Sequence, residues 1–330
     1  MSVAPPPRAS GYKYRSHLSK RTRKPVVGQV ALTLKDAKTF ASMASALRTM
    51  EPDELAAHAL IVEHPALGRY FSLAAELRAE DVRNAANASF SGVHRHLGRL
   101  FNWPVTEEEW ETAFEERRVL PKQPHAVRGL SSTHTGQRAD GEVLRVISGE
   151  DVLVKDMHKL TKWILMYMFE RRWLPLDGQL PLWSKDGRSV RTWVDISYYN
   201  LETRRVGVME LKTGYRFEYE HVRTTGGAHG FRDSDYNRHQ LQLGWMHACL
   251  LPRATAVQIE LEAVLVRING NDGILEPLAL SEEALAFFAN VYPSLNSWTL
   301  GAAAAVDLAP EGCGVPADLC EAPVKRRRKK

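Results

Sequence analysis

From Leu34 to about Phe114, apolar residues return every three or four positions: Phe40, Met43, Ala44 and Leu47, then Leu55, Leu60 and Ile61, then Leu67, Tyr70, Phe71, Ala74 and Leu77. That period collects them on one side of a helix, so the stretch is predicted to form several short helices, punctuated at Pro52 and Pro104. Between Pro121 and Gly149 the pattern gives way to polar runs such as Ser131-Ser132-Thr133-His134-Thr135-Gly136, the composition of a linker. Helical spacing returns from Asp151 to Leu174 and becomes apolar on every side over Trp163–Phe169, as expected of a helix enclosed in a core. Alternation then replaces it. Gln179–Ser184, Val190–Tyr199 and Arg205–Thr213 read as strands separated by Asp186-Gly187 and by Asn200–Thr203. A helix over Tyr236–Leu251 is expected to stop at Pro252. A long strand over Ala256–Ile268, a short strand to Leu280 and a helix from Ser281, with Glu282 and Glu283 at its N-terminus, complete the pattern.

Helix, three strands, helix, two strands, helix is the order of an α/β fold with a mixed sheet flanked by helices. Strands joined as hairpins exclude a doubly wound parallel sheet. No G-x-G-x-x-G, phosphate-loop motif or internal repeat is present. The expected organisation is a disordered basic arm at 1–27, a helical region at 28–120, a linker at 121–149, an α/β domain at 150–300 and a disordered tail at 301–330.

Composition narrows the class. With 330 residues, 44% hydrophobic, the chain can bury a sizeable core. Its longest unbroken apolar run, Trp163–Phe169, is far short of the roughly 18 residues of a membrane span. Three cysteines, Cys249, Cys313 and Cys320, form neither a disulfide framework nor a paired-cysteine zinc module, which points to a reducing compartment. The net charge of +5 is unevenly placed. Thirteen of the 44 basic residues lie in 1–24 and in Lys325–Lys330, leaving 31 against 39 acids, or −8, in residues 25–324. Attraction to phosphates is therefore expected from the tails and from local patches rather than from the whole surface.

Charge inside the strands is the chemical signal. In Arg205–Thr213, Glu210 and Lys212 stand two apart and share one face, while Met209 and Leu211 share the other. Asp195 interrupts the apolar run Trp193-Val194-Asp195-Ile196. A hairpin centred on Glu202 and Thr203 sets Asp195 directly across from Glu210. Neighbouring carboxylates out of water repel unless a cation joins them, and oxygen ligands of this kind suit Mg or Mn. Such a centre polarises a phosphodiester and activates water, with Lys212 placed to orient that water or steady the developing charge. The Ser131–Thr135 segment has no nucleophile-elbow context, so a serine hydrolase is set aside.

Asp195, then Glu210-x-Lys212, on two hairpin-linked strands after a helix, resembles the PD-(D/E)XK nuclease superfamily over about residues 150–280, with Val194 in place of the proline of the name. The resemblance implies a restriction-endonuclease-like fold and a Mg- or Mn-dependent deoxyribonuclease. Asp195, Glu210 and the Leu211 carbonyl would be metal ligands. The helix Tyr236-Asn-Arg-His-Gln240-Leu-Gln242-Leu-Gly-Trp-Met246 is similar to the glutamine-bearing helix of lambda-exonuclease-like and RecB-like members. Gln240 is the expected supporting residue and Gln242 the alternative. Asp156-Met-His158 resembles the His-bearing first helix and makes His158 a further expected ligand, with Glu150 and Glu170 as substitutes. DNA is the expected partner. Tyr219, Arg223, Arg232 and Arg238, in the long loop from Tyr215 to His239, are expected to grip its phosphates and bases. Lys325–Lys330 is similar to a nuclear localisation signal read by an import receptor, which favours the nucleus over a mitochondrion or a virion. No membrane partner is expected. The competing expectation is a nuclease fold that binds nucleic acid, or serves as a scaffold, without cutting.

Overall fold

The computed structural model describes residues 33–86, 91–101, 103, 108–109, 112, 132–184, 190–214, 222–228, 230–269, 273–274 and 276–291. Helix α1 (Leu34–Arg48) begins at Thr33, whose hydroxyl accepts from the Asp36 amide while the Asp36 carboxylate accepts from the Thr33 N–H. Helices α2 (Pro52–Ala57), α3 (Ala59–Glu63) and α4 (Pro65–Ala85) follow. Proline opens α2 and α4, where its missing N–H leaves no bond unmade. A two-residue strand, β1 (Ser91–Gly92), leads into α5 (Val93–Leu100).

The second half runs α6 (Ser132–Ile147), α7 (Lys159–Glu170), β2 (Trp173–Trp183), β3 (Val190–Asn200) and β4 (Arg205–Gly214). The small hairpin β5 (Val222–Ala228) and β6 (Phe231–Ser234) precedes α8 (Asp235–Ala256). Then come β7 (Leu261–Asn269), β8 (Gly273–Ile274), β9 (Leu278–Ala279) and α9 (Glu282–Val291). In the main sheet β2, β3 and β4 are antiparallel neighbours, β4 pairs with β7 in parallel, β8 and β9 pair with β7, and β1 adds in parallel to β3. A parallel β4–β7 pair requires a crossover, and α8 supplies it. The protein is thus α/β with a mixed sheet.

Helices cover both sheet faces. On one, Leu47 of α1, Leu67, Tyr70 and Leu77 of α4, Leu97 of α5, Leu243 and Trp245 of α8 and Phe288 of α9 share a core with Val206, Val208 and Leu265. On the other, Ala139 and Val143 of α6 and Ile164 and Met168 of α7 meet Ile196, Met209, Leu211 and Val266. The alternation Val206/Val208 against Met209/Leu211 is the period-two signature of a strand buried on both sides. The N-terminal helices also make polar contacts with the sheet. The Tyr70 hydroxyl bonds Ser197 Oγ of β3, and Asp81 of α4 accepts from Trp183 Nε1 at 2.7 Å and from Arg191 at 2.6 Å.

Four expectations need correction. The segment read as linker holds α6, because Ala139, Val143, Val146 and Ile147 form a buried stripe that the surrounding Ser, Thr, His and Gly obscure. The helix expected from Asp151 starts only at Lys159, with His158 as its N-cap. Strand β2 starts at Trp173 rather than Gln179 and accommodates Pro175 and Pro181, as an edge strand can. Helix α8 continues through Pro252 to Ala256, so β7 starts five residues later than expected. The arm 1–27, the tail 301–330 with Lys325–Lys330, Cys313 and Cys320, and Tyr219 lie outside the described residues.

Candidate active site

Along β3, Val190, Thr192 and Val194 are buried while Arg191, Trp193 and Asp195 are less so. The β3–β4 ladder pairs Asn200 with Arg205 and Ile196 with Met209. Carried on by one residue, that register sets Asp195 opposite Glu210, as the hairpin centre implies. The Leu211 N–H donates to Asp195 Oδ2 at 2.7 Å, which fixes the carboxylate against β4. Glu210, 2% exposed, forms an ion pair with Lys212 through Oε1. Gln242 of α8 closes a ring with these two: its Nε2 donates to Glu210 Oε1 at 2.6 Å, and its Oε1 accepts from Lys212 Nζ at 3.2 Å.

A third carboxylate, Asp140 of α6, reaches the same place. Asp140, Asp195, Glu210, Leu211, Lys212 and Gln242 line one cavity of about 480 Å³, with His94, Gln179, Thr192 and Trp193 on its other walls. Three acids therefore face one ammonium in a poorly solvated space. Burial first, and then the Glu210 charge, push the Asp195 carboxyl well above its ordinary range, against the pull of Lys212 and the Leu211 N–H. Burial also raises Asp140 to about 6, with Lys212 opposing and Glu210 adding to the rise. Burial disfavours the Lys212 ammonium, but Glu210, Asp195 and Asp140 outweigh it, so its pKa is raised and the charge is retained. His94, on α5, is an exposed residue taken as a whole, and burial followed by the Lys212 and Arg238 charges holds it down to about 4.

Two buried oxygens of cavity-lining residues, Asp140 Oδ1 and Glu210 Oε2, have no hydrogen-bond partner. Unsatisfied carboxylate oxygens out of water are costly, and either a proton or a hard cation relieves them. Among the described residues no three His, Cys, Asp or Glu side chains are already gathered as an ion-holding group. Asp195 instead holds the Leu211 N–H, and Glu210 holds Lys212. By donor chemistry the set fits Mg or Mn: three carboxylates, two of them with an oxygen to spare.

The expected site residues thus separate. Asp195, Glu210, Leu211 and Lys212 converge on the cavity. Gln240 does not line it. Its Nε2 donates to the Ala279 carbonyl at 3.1 Å and its Oε1 accepts from the Ser281 N–H at 2.8 Å, so Gln242, the alternative, is the glutamine at the carboxylates. His158 caps α7, Nδ1 accepting from the Leu160 N–H at 3.3 Å, and is absent from the cavity lining. Glu150 pairs with Arg145, and neither Glu150 nor Glu170 lines the cavity. Arg238 lies at the start of α8, 5.1 Å from the Trp103 ring, and its charge is felt at His94. The side chains of Arg223 and Arg232 are outside the described residues. Asp140 and His94 were not expected. Asp140 becomes legible once 132–147 is read as a helix, while nothing in the sequence around His94 announces it. Family models, curated proteins and solved structures compared with the chain give no match, so the class of the protein rests on this geometry. No described helix is long and apolar enough to cross a membrane.

Proposed function

We propose that the protein is a metal-dependent nuclease acting on DNA, with a restriction-endonuclease-like core of the PD-(D/E)XK kind. The observation that carries this reading is the meeting of three carboxylates and a lysine in one cavity, with two carboxylate oxygens left unpartnered. Asp140, Asp195 and Glu210, with the Leu211 carbonyl, would hold Mg or Mn. Once bound, the ion would polarise the phosphodiester and lower the pKa of a water molecule. The chain's own residues do the positioning. The Leu211 N–H fixes Asp195, while Gln242 restrains both Glu210 and Lys212. The Lys212 ammonium, kept charged, donates toward the attacking water or the phosphate oxygen as negative charge builds there. We further propose a nuclear setting, with Lys325–Lys330 as the import signal.

The second reading is a nuclease fold that binds nucleic acid without cutting it. The observation in its favour is that Lys212 already neutralises Glu210 and no ion-holding trio is assembled. Labelled linear DNA incubated with Mn separates the two. A nuclease cleaves it, and Asp195→Ala and Lys212→Ala each slow cleavage by about a hundredfold or more while binding persists. Binding with no divalent-dependent cleavage decides for the non-cutting reading, and cleavage indifferent to both substitutions would overturn the assignment of Asp195 and Lys212 to the reaction.

A further inference from the structure

Trp193 is 41% exposed, and among the described large apolar side chains left open it is the one aromatic. A single exposed apolar residue is unremarkable on a surface, but this one lines the cavity that holds Asp195 and Glu210. Two positions along β3 separate it from Asp195, a step of about 7 Å in an extended strand. It is also braced. The Arg191 guanidinium lies 4.2 Å from the Trp193 ring centroid and 5.5 Å from that of Trp183. Asp81 holds both Arg191 and the Trp183 indole, at 2.6 and 2.7 Å. One side of the Trp193 ring is therefore backed by a fixed cation, and the residue is left partly open where it lines the cavity.

Gln179 stands on the facing strand. The pairs Gly178–Ile196 and Leu180–Val194 bracket it, which sets Gln179 across from Asp195. Its backbone is left-handed at φ 50°, an unfavourable conformation for a residue with a Cβ, and such strain concentrates where a side chain must be presented to a ligand. Its side chain is exposed and lines the cavity. A rigid aromatic plane, an adjacent amide with donor and acceptor, and a phosphodiester-type site one strand step away together describe a nucleotide subsite.

Resting on the nuclease reading, we infer that Trp193 is a stacking platform for an unpaired nucleobase flanking the cleaved phosphodiester, and that Gln179 meets the polar edge of that nucleotide. A base inside a duplex is already stacked on both sides and has no face to offer. The preferred substrate is therefore a single strand or a frayed end rather than an intact duplex. Binding is measured on the full chain in EDTA, so that no turnover is needed. The probe is a short oligodeoxynucleotide carrying 2-aminopurine, used single-stranded and annealed as a blunt duplex. The wild-type chain binds the single strand and quenches the probe. Trp193→Ala weakens single-strand binding by about tenfold and abolishes the quench, Trp193→Phe keeps most of both, and duplex binding changes by less than about twofold. Loss of single-strand binding in Trp193→Ala with an unchanged melting temperature supports the subsite, and Trp193→Leu, which keeps apolar bulk without a ring and is expected to lose the quench, keeps the test decisive if the alanine variant does not fold. Equal single-strand binding by wild type and Trp193→Ala, or equal losses on both substrates, overturns it. A parallel arm with Mn reads cleavage alone: cleavage with no Trp193 effect on binding sinks the subsite and spares the nuclease, whereas quench dependent on Trp193 without cleavage keeps the nucleobase site and sinks the nuclease.

Discussion

Three carboxylates and one ammonium in a single cavity determine how the site residues respond to protons and to substitution. Asp140 has its pKa raised from 3.8 to about 6, so the folded chain holds the proton more tightly than the unfolded one. Its contribution to stability is therefore fully present below about pH 4 and is lost as the pH climbs through about 6. Asp140→Asn, which cannot ionise, is expected to raise the melting temperature in EDTA, with a gain that is small near pH 4 and larger at pH 7. A gain equal at both pH values would show that the charge of Asp140 is not its cause. On the nuclease reading, the same substitution is expected to abolish Mn-dependent cleavage. At this scale Asp195, Glu210 and Lys212 are legible in the sequence because each is a charge in a strand pattern that buries its neighbours. Gln242 is legible only as one of two glutamines, since the choice depends on how α8 is rotated over the sheet. Asp140 is hidden by its setting, Gly136-Gln-Arg-Ala-Asp140-Gly141, whose composition is that of a loop.

Among the elements, α6 decides whether Asp140 reaches the cavity, and a close approach to β4 fixes its place. A Cβ added at Gly136 would lie 2.3 Å from Thr213 Oγ1, so the helix seats against the strand only because no side chain intervenes. Gly136→Val is expected to cost about 2 kcal/mol and, on the nuclease reading, to lower cleavage by moving Asp140, one helical turn further along. Thr213→Ala in the same chain restores part of both losses, as thermal melts and rate measurements would show. The β3–β4 hairpin is the element most fully readable in advance, because Asn200–Thr203 marks the turn and the turn sets the register. Strand β2 is less readable, since Pro175, Gly178 and Pro181 break the alternation that an edge strand does not need. The helix end at Pro252 is misleading for a related reason: packing carries α8 past a residue that lacks one backbone donor.

At the scale of the whole molecule, the N-terminal helices and the sheet share one apolar core, so the described residues are expected to unfold in a single transition. Tyr70→Phe tests this coupling from the helical side. It removes the bond to Ser197, whose Oγ still donates to the Asp177 carbonyl at 3.2 Å, and is expected to lower stability by about 1 kcal/mol without splitting the transition. Two separated transitions in a calorimetric scan would refute the shared core. The charge layout visible in the sequence is an acidic body with basic ends, so general attraction for a polyanion is expected to come from the ends rather than from the body. One consequence follows from α8. Gln240 fastens one side of that helix to Ala279 of β9 and to Ser281 just before α9, while Gln242, two residues on and turned toward the sheet, holds Glu210 and Lys212. The last described helix is thereby joined to the lysine by a chain of contacts, and an antibody fragment or a chemical crosslink that displaces α9 is expected to loosen the lysine without ever entering the cleft.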